Sequence, residues 1–328
     1  ALKFGQESIA PVIAAQKELR EAVGKPKREF TPRVVEAEVQ AEAESIIGDR
    51  ITDALLIQAK LEREAACNAL KDEMEEKLVE KFGEEDITGF IVGEAFYSIQ
   101  KAAVRRLVLD DGKRLDGRGS EDLRALSSEA GMIPRTHGSG LFSRGETQGL
   151  SLVTLGTTDD TQTFDAYTGG PNEKRFMLHY NFPNFSVGET GRIMGPGRRE
   201  IGHGALAERS IAPVIPSLED FPYAVRVTSE IMESNGSTSM AAICSGTLAL
   251  LDAGVPLKRP VAGISIGLCT RSNDAGDIEA YKLLADIIGW EDAFCDMDCK
   301  IAGTDTGITG FQLDLKLKGI PYEIMEEA

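Results

Sequence analysis

Hydrophobic residues at the start of the chain recur every three or four positions. The pattern covers residues 9–23, and Gly24 followed by Pro26 is a typical helix stop. It predicts a helix that Ser8 caps, with Pro11 in its first turn, followed by a linker up to residue 32; if the helix starts earlier, Pro11 is expected to kink it. Because the chain opens directly inside a helical pattern and closes inside another, we expect both of its ends to be cut.

Residues 33–110 form a second unit. They contain no proline, are rich in Ala, Glu, Leu and Lys, and keep helical spacing to about residue 108. Gly48 and Gly83 interrupt the pattern, and Asp86 is the expected cap of a last helix that ends near Leu109. The sequence therefore predicts an all-helical domain here.

From residue 111 onward the pattern changes to short β-rich runs separated by glycine. Near the end, Phe311, Leu313 and Leu315 alternate with polar residues, so we expect one buried and one solvated strand face. Two helical stretches, at residues 198–211 and 237–251, lie among the strands. We predict an α+β domain over residues 111–328, with strands at residues 150–155, 176–182, 223–227, 261–268, 282–287 and 308–317.

Charge and composition restrict the classes of function. The formal charge of −17 opposes binding to nucleic acid, but residues 34–86 hold 16 acidic and 6 basic side chains, so much of the excess lies in one segment. Five cysteines without a CxxC pair and only three histidines indicate neither a disulfide framework nor structural zinc. Without a signal sequence or a run of about 18 apolar residues, we expect a cytoplasmic protein with no membrane partner.

A first candidate site lies at residues 233–240, where a predicted strand leads into a predicted helix. Gly236 precedes three hydroxyl residues, Ser237, Thr238 and Ser239. Free backbone N–H groups, the positive end of the helix dipole and hydroxyl donors together favour an anion. A plain strand-to-helix turn with a Ser or Thr cap explains the same residues.

A second candidate lies at residues 195–204. Arg198 and Arg199 follow a glycine-rich turn, and His203 comes one helical turn later. Guanidinium groups bind phosphate oxygens in pairs, and an imidazole adds a further hydrogen bond. The alternative is an exposed turn with solvated arginines. An aromatic run at residues 179–183 offers either a stacking surface for bases or, more simply, core packing.

A third candidate is the acidic stretch at residues 290–300. If residues 296–300 are extended, Asp296, Asp298 and Lys300 share one strand face, with Asp292 just before them. Carboxylates beside an ammonium group suit Mg²⁺, which keeps waters and substrate phosphate among its ligands. A solvated strand face with internal ion pairs gives the same alternation. Taken together, the three candidates indicate phosphoryl transfer, in which charge neutralisation and positioning do most of the work.

At six places the chain closely resembles the polynucleotide phosphorylases. The similar runs are IPRTHGSGLFSRGETQ at residues 133–148, HYNFPNFSVGETG at 179–191, RREIGHG at 198–204, FPYAVRVTSEIMESNGSTSMA at 221–241, DAGVPLKRPVAGI at 252–264 and CDMDCKIAGT at 295–304. The resemblance implies an α+β, ribonuclease PH-like fold, a mixed β-α-β core, for residues 111–328, truncated at its C-terminal end and preceded by the helical domain at residues 33–110. It implies that residues 1–32 are the terminal helix and linker of a first ribonuclease PH-like domain.

The resemblance also implies an activity. In this family, inorganic phosphate attacks the 3′-terminal phosphodiester of RNA and releases nucleoside diphosphates, and the reverse polymerisation also occurs. The expected partners are the RNA 3′ end, phosphate, nucleoside diphosphates, two further copies in a homotrimeric ring, and components of an RNA degradosome. Carried over by position, the site residues are Ser237, Thr238 and Ser239 for phosphate, Arg198 and Arg199 for RNA, Asp292 and Asp298 for Mg²⁺ or Mn²⁺, and Asp292, Asp298, Lys300 and His203 for catalysis.

Some residues depart from the family pattern. Thr238 replaces a serine, Asn184 replaces a proline, and Trp290, Cys295 and Cys299 stand where Asp, Gly and Phe are common. None of these departures removes a residue assigned to chemistry.

Three other interpretations stay open. A stand-alone ribonuclease PH or exosome-ring enzyme would share the core motifs but would lack the helical unit. An inert ring or scaffold subunit that only binds RNA would be expected to lose the acidic cluster. A hydrolase using Ser237 and His203 would lack its GxSxG elbow here.

Overall fold

The computed structural model describes residues 2–164, 169, 173–192, 194–273 and 275–328. Its helices are α1 (Leu2–Val23), α2 (Ala37–Ile47), α3 (Arg50–Leu55), α4 (Lys60–Phe82), α5 (Gly89–Leu109), α6 (Arg198–Ile211), α7 (Thr238–Asp252), α8 (Gly289–Phe294) and α9 (Tyr322–Glu327). Its strands are β1 (Leu126–Ala130), β2 (Gly138–Arg144), β3 (Thr147–Gly156), β4 (Gln162–Thr163), β5 (Glu173–Lys174), β6 (Phe176–Asn181), β7 (Ala224–Glu233), β8 (Ala262–Ser272), β9 (Ile278–Ala285), β10 (Met297–Thr304) and β11 (Gly307–Leu315).

The opening helix is confirmed, but it begins at Leu2, earlier than the hydrophobic pattern predicted. The expected cap, Ser8, therefore lies inside α1, where its hydroxyl donates to the Phe4 carbonyl at 2.7 Å. Pro11 also lies within the helix, and none of the helix residues is buried.

Helices α2 to α5 pack on one another around residues such as Ala43, Met74 and Val104, as the helical pattern predicted. The last helix starts after Thr88 rather than after the expected cap Asp86. The same hydrophobic cluster continues into Leu284 and neighbouring residues of the second sheet. Because the helices share a core with that sheet, the domain boundary near residue 110 stays a prediction.

A two-stranded sheet, β4-β5, and two larger sheets follow the helices. One has the strand order β1-β2-β3-β7-β6, in which only the β7–β6 pair is parallel, and the other has the antiparallel order β11-β10-β8-β9. Helix α7 contacts β2, β3 and β7 of the first sheet and β8 and β10 of the second, so it lies between them. Each of the six predicted strands overlaps an observed strand.

The apolar face predicted for the last strand is only partly covered. Phe311 is 36% exposed, and Leu313 and Leu315 are half-buried. β11 is the edge strand of its sheet, so fewer neighbours cover its side chains. Among the helices that the structure describes, none has the length and apolar character needed to cross a membrane.

Candidate active site

A cavity of about 570 Å³ collects most of the predicted site residues. It lies where the N-terminal turns of α4, α6 and α7 meet α8 and strands β10 and β11. Its lining includes seven residues singled out from the sequence: Arg199, His203, Ser237, Thr238, Asp292, Asp298 and Lys300. Arg198, the first residue of α6, is exposed and does not line the cavity, and Ser239 is fully buried behind it.

The turn between β7 and α7, residues 234–237, is held in an unusual conformation. Gly236 has φ +99°, and Ser237 has φ +47° in the left-handed region that side-chain-bearing residues rarely adopt. In the part of the chain that the structure describes, the buried hydroxyl oxygens of Ser237 and Ser239 have no hydrogen-bond partner. Unpaired buried hydroxyls at the start of a 15-residue helix form an arrangement suited to an anion.

Two buried arginines hold this turn in place through hydrogen bonds to its carbonyls. Arg144 donates to the carbonyls of Gly236 and Ser237 at 3.0 Å each, and Arg124 donates to the Asn235 carbonyl at 2.6 Å. Both arginines pair with Asp286, which is fully buried. Burial alone would raise the pKa of Asp286, but hydrogen bonds and charge from Arg124 and Arg144 lower it to about 2.

Helix α6 brings a cation and an imidazole to the opposite wall. The Arg199 guanidinium lies over the Phe182 ring, 4.8 Å from its centroid. His203 packs against Tyr180, and its buried Nδ1 has no partner among the described residues. Burial, reinforced by the charges of Arg199 and Lys300, lowers the pKa of His203 to about 4. The imidazole is therefore neutral near pH 7 and acts through hydrogen bonds rather than charge.

The acidic wall comes from α8 and β10. Asp298 and Lys300 are both nearly buried and form an ion pair through the Asp298 Oδ2 atom. The other carboxylate oxygen of Asp298 is buried without a partner in the described ranges. Burial, and then the nearby charge of Asp298, raises the pKa of Asp292. The two carboxylates are thus close enough to repel each other.

The prediction that Asp296 shares a strand face with Asp298 and Lys300 is wrong. Strand β10 begins at Met297, and the carboxylate of Asp296 lies outside the cavity. There it accepts hydrogen bonds from the backbone N–H and the hydroxyl of Thr270 at 3.0 and 2.7 Å. Arg105 pairs with the same carboxylate. Asp296 is therefore a structural ion-pair residue, whereas Asp298 and Lys300 do share a face that lines the cavity.

Two carboxylates of the cavity could hold a divalent cation. Nowhere in residues 2–164, 169, 173–192, 194–273 and 275–328 do three or more His, Cys, Asp or Glu side chains form a group able to hold a metal by themselves. Asp292 and Asp298 provide two carboxylates that repel each other, and one buried oxygen of Asp298 has no hydrogen-bond partner in the described part of the chain. This fits Mg²⁺, which takes one or two protein carboxylates and completes its shell with water and substrate phosphate.

Comparison with known proteins identifies the family. The model described as "Polyribonucleotide nucleotidyltransferase, RNA binding domain" matches residues 35–119, and that of the "3′ exoribonuclease family, domain 1" matches residues 122–256. Over the whole chain, polyribonucleotide nucleotidyltransferases from Akkermansia muciniphila, Methylacidiphilum infernorum and Opitutus terrae are 54%, 53% and 52% identical to it. The chain belongs to the polyribonucleotide nucleotidyltransferase family. It spans about half the length of these relatives, 45–46% of each.

Membership of the polyribonucleotide nucleotidyltransferase family confirms the predicted fold class. The exoribonuclease match covers β1 to α7, the ribonuclease PH-like core, and the RNA-binding match covers α2 to α5, the helices before it. Among solved structures, the crystal structure of rice (Oryza sativa) Rrp46 covers 65% of this chain and 90% of its own, with 19% identity and a TM-score of 0.49.

Several residues that line this cavity were missed from the sequence. Asp314 lies opposite Asp298 in the β10–β11 ladder and joins the acidic wall, a neighbour that only the strand register reveals. Lys60 and Glu64 reach the cavity from α4, and Lys60 donates to the Ser234 carbonyl at 3.1 Å. A sequence separation of 174 residues leaves no local signal for that contact.

Proposed function

We propose that the whole protein is a phosphorolytic 3′-to-5′ exoribonuclease that releases nucleoside diphosphates from RNA and runs the reverse polymerisation. One observation carries the proposal. Among the described residues, the Ser237 hydroxyl and one carboxylate oxygen of Asp298 have no hydrogen-bond partner, and both residues line the cavity that His203, Arg199 and Lys300 also line. Transfer of the terminal nucleotide from RNA to inorganic phosphate needs a site for the attacking anion and carboxylates that can hold a cation near it.

The reaction exchanges one bond to phosphorus for another. An oxygen of inorganic phosphate attacks the terminal phosphorus of the RNA, and the bond from that phosphorus to the 3′ oxygen of the preceding nucleotide breaks. The terminal nucleotide leaves as a nucleoside 5′-diphosphate, and the freed 3′ oxygen takes a proton. No water is consumed, so phosphate dependence and diphosphate products identify this chemistry.

The residues divide between the two reactants. Ser237, Thr238 and Ser239, at the start of α7, hold the attacking phosphate through hydroxyl and backbone N–H groups. Arg199 and His203 hold the RNA end, the histidine as a neutral hydrogen-bonding group. Arg198, exposed just outside the cavity, contacts the RNA backbone further from its end.

Asp292 and Asp298 would bind Mg²⁺, for which Mn²⁺ can substitute. When bound, the cation offsets negative charge that develops on the scissile phosphate. Lys300 holds Asp298 in place through their buried ion pair and adds a positive charge on the same side. Removal of the metal with a chelator should therefore stop turnover while the fold is kept.

We also propose that the protein works as a homotrimer in the cytoplasm, together with other RNA-degrading proteins. Membership of the family supports this proposal, because the resemblance to polynucleotide phosphorylases implies a homotrimeric ring and partners that degrade RNA. Light scattering of the full-length protein coupled to size-exclusion chromatography tests the trimer.

Product analysis tests the activity. The full-length protein incubated with single-stranded RNA, inorganic phosphate and Mg²⁺ should yield nucleoside diphosphates, and the yield should follow the phosphate concentration. Nucleoside monophosphates formed without added phosphate would contradict phosphorolysis. An inert ring subunit would bind the RNA and yield neither product.

A further inference from the structure

Trp290 is an aromatic residue in an otherwise polar cavity. It is the single tryptophan of the sequence and lies in the first turn of α8, two residues before Asp292. Its indole is half-buried and lines the cavity. Among the described lining residues, Val187 is the only other large apolar side chain. The cavity thus offers one broad apolar plane beside its hydroxyl and carboxylate groups.

The indole is held in a fixed orientation. The Arg63 guanidinium lies over the ring, 5.6 Å from its centroid, and Phe294 packs 6.0 Å away at 59°. Arg63 is itself 1% exposed and donates to the Ile57 carbonyl at 2.8 Å, so its side chain is held in place beside the indole. A rigid aromatic surface binds a flat partner at little entropic cost.

The helix that carries Trp290 is fixed as well. The carboxylate of Glu291 is fully buried and forms a two-pronged pair with Arg114, at 2.6 and 2.8 Å. The backbone N–H of Gly289 donates to the Asn235 side chain at 3.3 Å, which ties α8 to the turn that precedes Ser237. Trp290 therefore keeps a constant position relative to both the hydroxyl turn and Asp292.

We propose that Trp290 stacks on the nucleobase of the nucleoside diphosphate that leaves the site or enters it in the reverse reaction, and so favours purines over pyrimidines. The proposal rests on the proposed function. The phosphates of such a ligand are matched by the hydroxyl turn and by a cation on the carboxylates, and its base then needs an apolar face. Stacking on an aromatic ring accepts every base, and its strength grows with the area of the base.

Fluorescence of the full-length protein tests the contact directly. The difference between the spectra of wild type and Trp290→Phe reports Trp290 alone. We expect ADP to quench this difference signal more than UDP, and ribose 5-phosphate and inorganic phosphate to leave it unchanged. A signal that ADP leaves unchanged at concentrations that support polymerisation would overturn the proposal.

Kinetics of the reverse reaction provide the second test. Trp290→Leu keeps an apolar side chain but removes the stacking plane, so KM for ADP should rise roughly tenfold while kcat changes less than about twofold. Trp290→Phe keeps an aromatic ring and should stay within about threefold of wild type. The purine preference, measured as the ratio of KM for UDP to that for ADP, should shrink in Trp290→Leu only.

The two proposals fail differently. If wild type polymerises ADP and Trp290→Leu has an unchanged KM, the role of Trp290 is wrong and the activity stands. If wild type neither degrades RNA with phosphate nor polymerises ADP, the proposed function is wrong, and the fluorescence titration still decides whether ADP contacts Trp290. Because that titration uses wild type and the conservative phenylalanine variant, it does not depend on the stability of Trp290→Leu.

Discussion

The phenol oxygen of Tyr180 lies 2.6 Å from the hydroxyl oxygen of Thr238, and both side chains are buried. The contact joins strand β6 to the first residue of α7, so it connects the core of the first sheet to the turn assigned to phosphate. Burial raises the pKa of Tyr180 to about 12, so the phenol stays protonated even in alkaline solution. The hydrogen bond between Tyr180 and Thr238 thus positions the threonine side chain, and the sequence around Thr238 does not indicate this contact.

Tyr180→Phe should therefore weaken both the fold and phosphate binding. Loss of one buried hydrogen bond that leaves the Thr238 hydroxyl unpaired should lower the free energy of unfolding by about 1–2 kcal/mol. We also expect a rise in KM for phosphate. Tyr281→Phe is the matched control, because that exposed phenol bonds to Glu327 alone among the described residues and its loss should cost less than about 0.5 kcal/mol. Equal losses in the two variants, measured by urea unfolding, would contradict the role of the Tyr180 contact.

Asp298→Asn should abolish turnover and leave RNA binding largely intact. The change removes the charge that pairs with Lys300 and would bind the metal, whereas the surfaces around Arg198 and Arg199 are untouched. Phosphorolysis assays and RNA-binding measurements on the same preparation separate the two effects. Unchanged turnover would remove Asp298 from the mechanism.

Asp296→Asn is the matched comparison for that variant. Its carboxylate lies outside the cavity and pairs with Arg105 and Thr270, so its loss should lower the free energy of unfolding by about 3 kcal/mol, the usual cost of breaking a buried pair. The protein that remains folded should keep its KM for phosphate. A stable Asp296→Asn with no activity would show that the carboxylate acts in the reaction.

The element types followed from the hydrophobic period, but strand β2 was missed for a reason that lies in the tertiary structure. Strand β2 was missed because Gly138 and Gly140 resemble turn residues. A Cβ atom at these glycines would lie 2.3 Å from the Ala249 carbonyl oxygen and 2.6 Å from that of Ser245, so the strand needs glycine where α7 crosses it. Such a close approach between distant segments has no signature in the sequence around either glycine.

The candidate site was predicted where its residues are neighbours in the chain and missed where they are not. The Ser237 turn and the Asp298–Lys300 pair lie within short motifs, and the structure brings them to one cavity. Two contacts join segments far apart in the chain: the hydrogen bond from Lys60 to the Ser234 carbonyl and the buried pairing of Arg124 with Asp286. Residue spacing in the sequence could not indicate either of them. The roles of all these residues in the reaction stay predictions.

Gly236→Ala should disrupt the hydroxyl turn. Residue 236 has φ +99°, and a Cβ atom there would lie 2.4 Å from the Ile287 carbonyl oxygen. Strain in the left-handed region and the clash together should lower the free energy of unfolding by about 3 kcal/mol. Gly83→Ala is the control for backbone strain without the clash: φ there is +94° and ψ is 152°, a conformation that glycine alone adopts readily, with open space around the site, so about 2 kcal/mol is expected. Thermal unfolding of both variants checks the difference, and equal costs would exclude the clash with Ile287.

His203 should make stability depend on pH in the mildly acidic range. Burial and the charges of Arg199 and Lys300 lower its pKa from 6.5 to about 4 in the folded protein. Between these values the unfolded chain binds a proton that the folded protein does not, so the free energy of unfolding falls as the pH drops from 6.5 toward 4. At pH 5 the loss relative to pH 7.5 should be about 2 kcal/mol from this group alone.

His203→Gln removes the titrating group and keeps a polar side chain. Guanidinium unfolding of wild type and variant at pH 7.5 and pH 5.0 should therefore show a smaller acid loss in the variant by that amount. Above about pH 7.5 the folded and unfolded imidazoles are both almost fully neutral, so the pH dependence of the two proteins should be parallel there. If the variant loses as much stability as wild type between pH 7.5 and 5.0, the imidazole is not held neutral by burial, and a charged His203 must be considered at the RNA end.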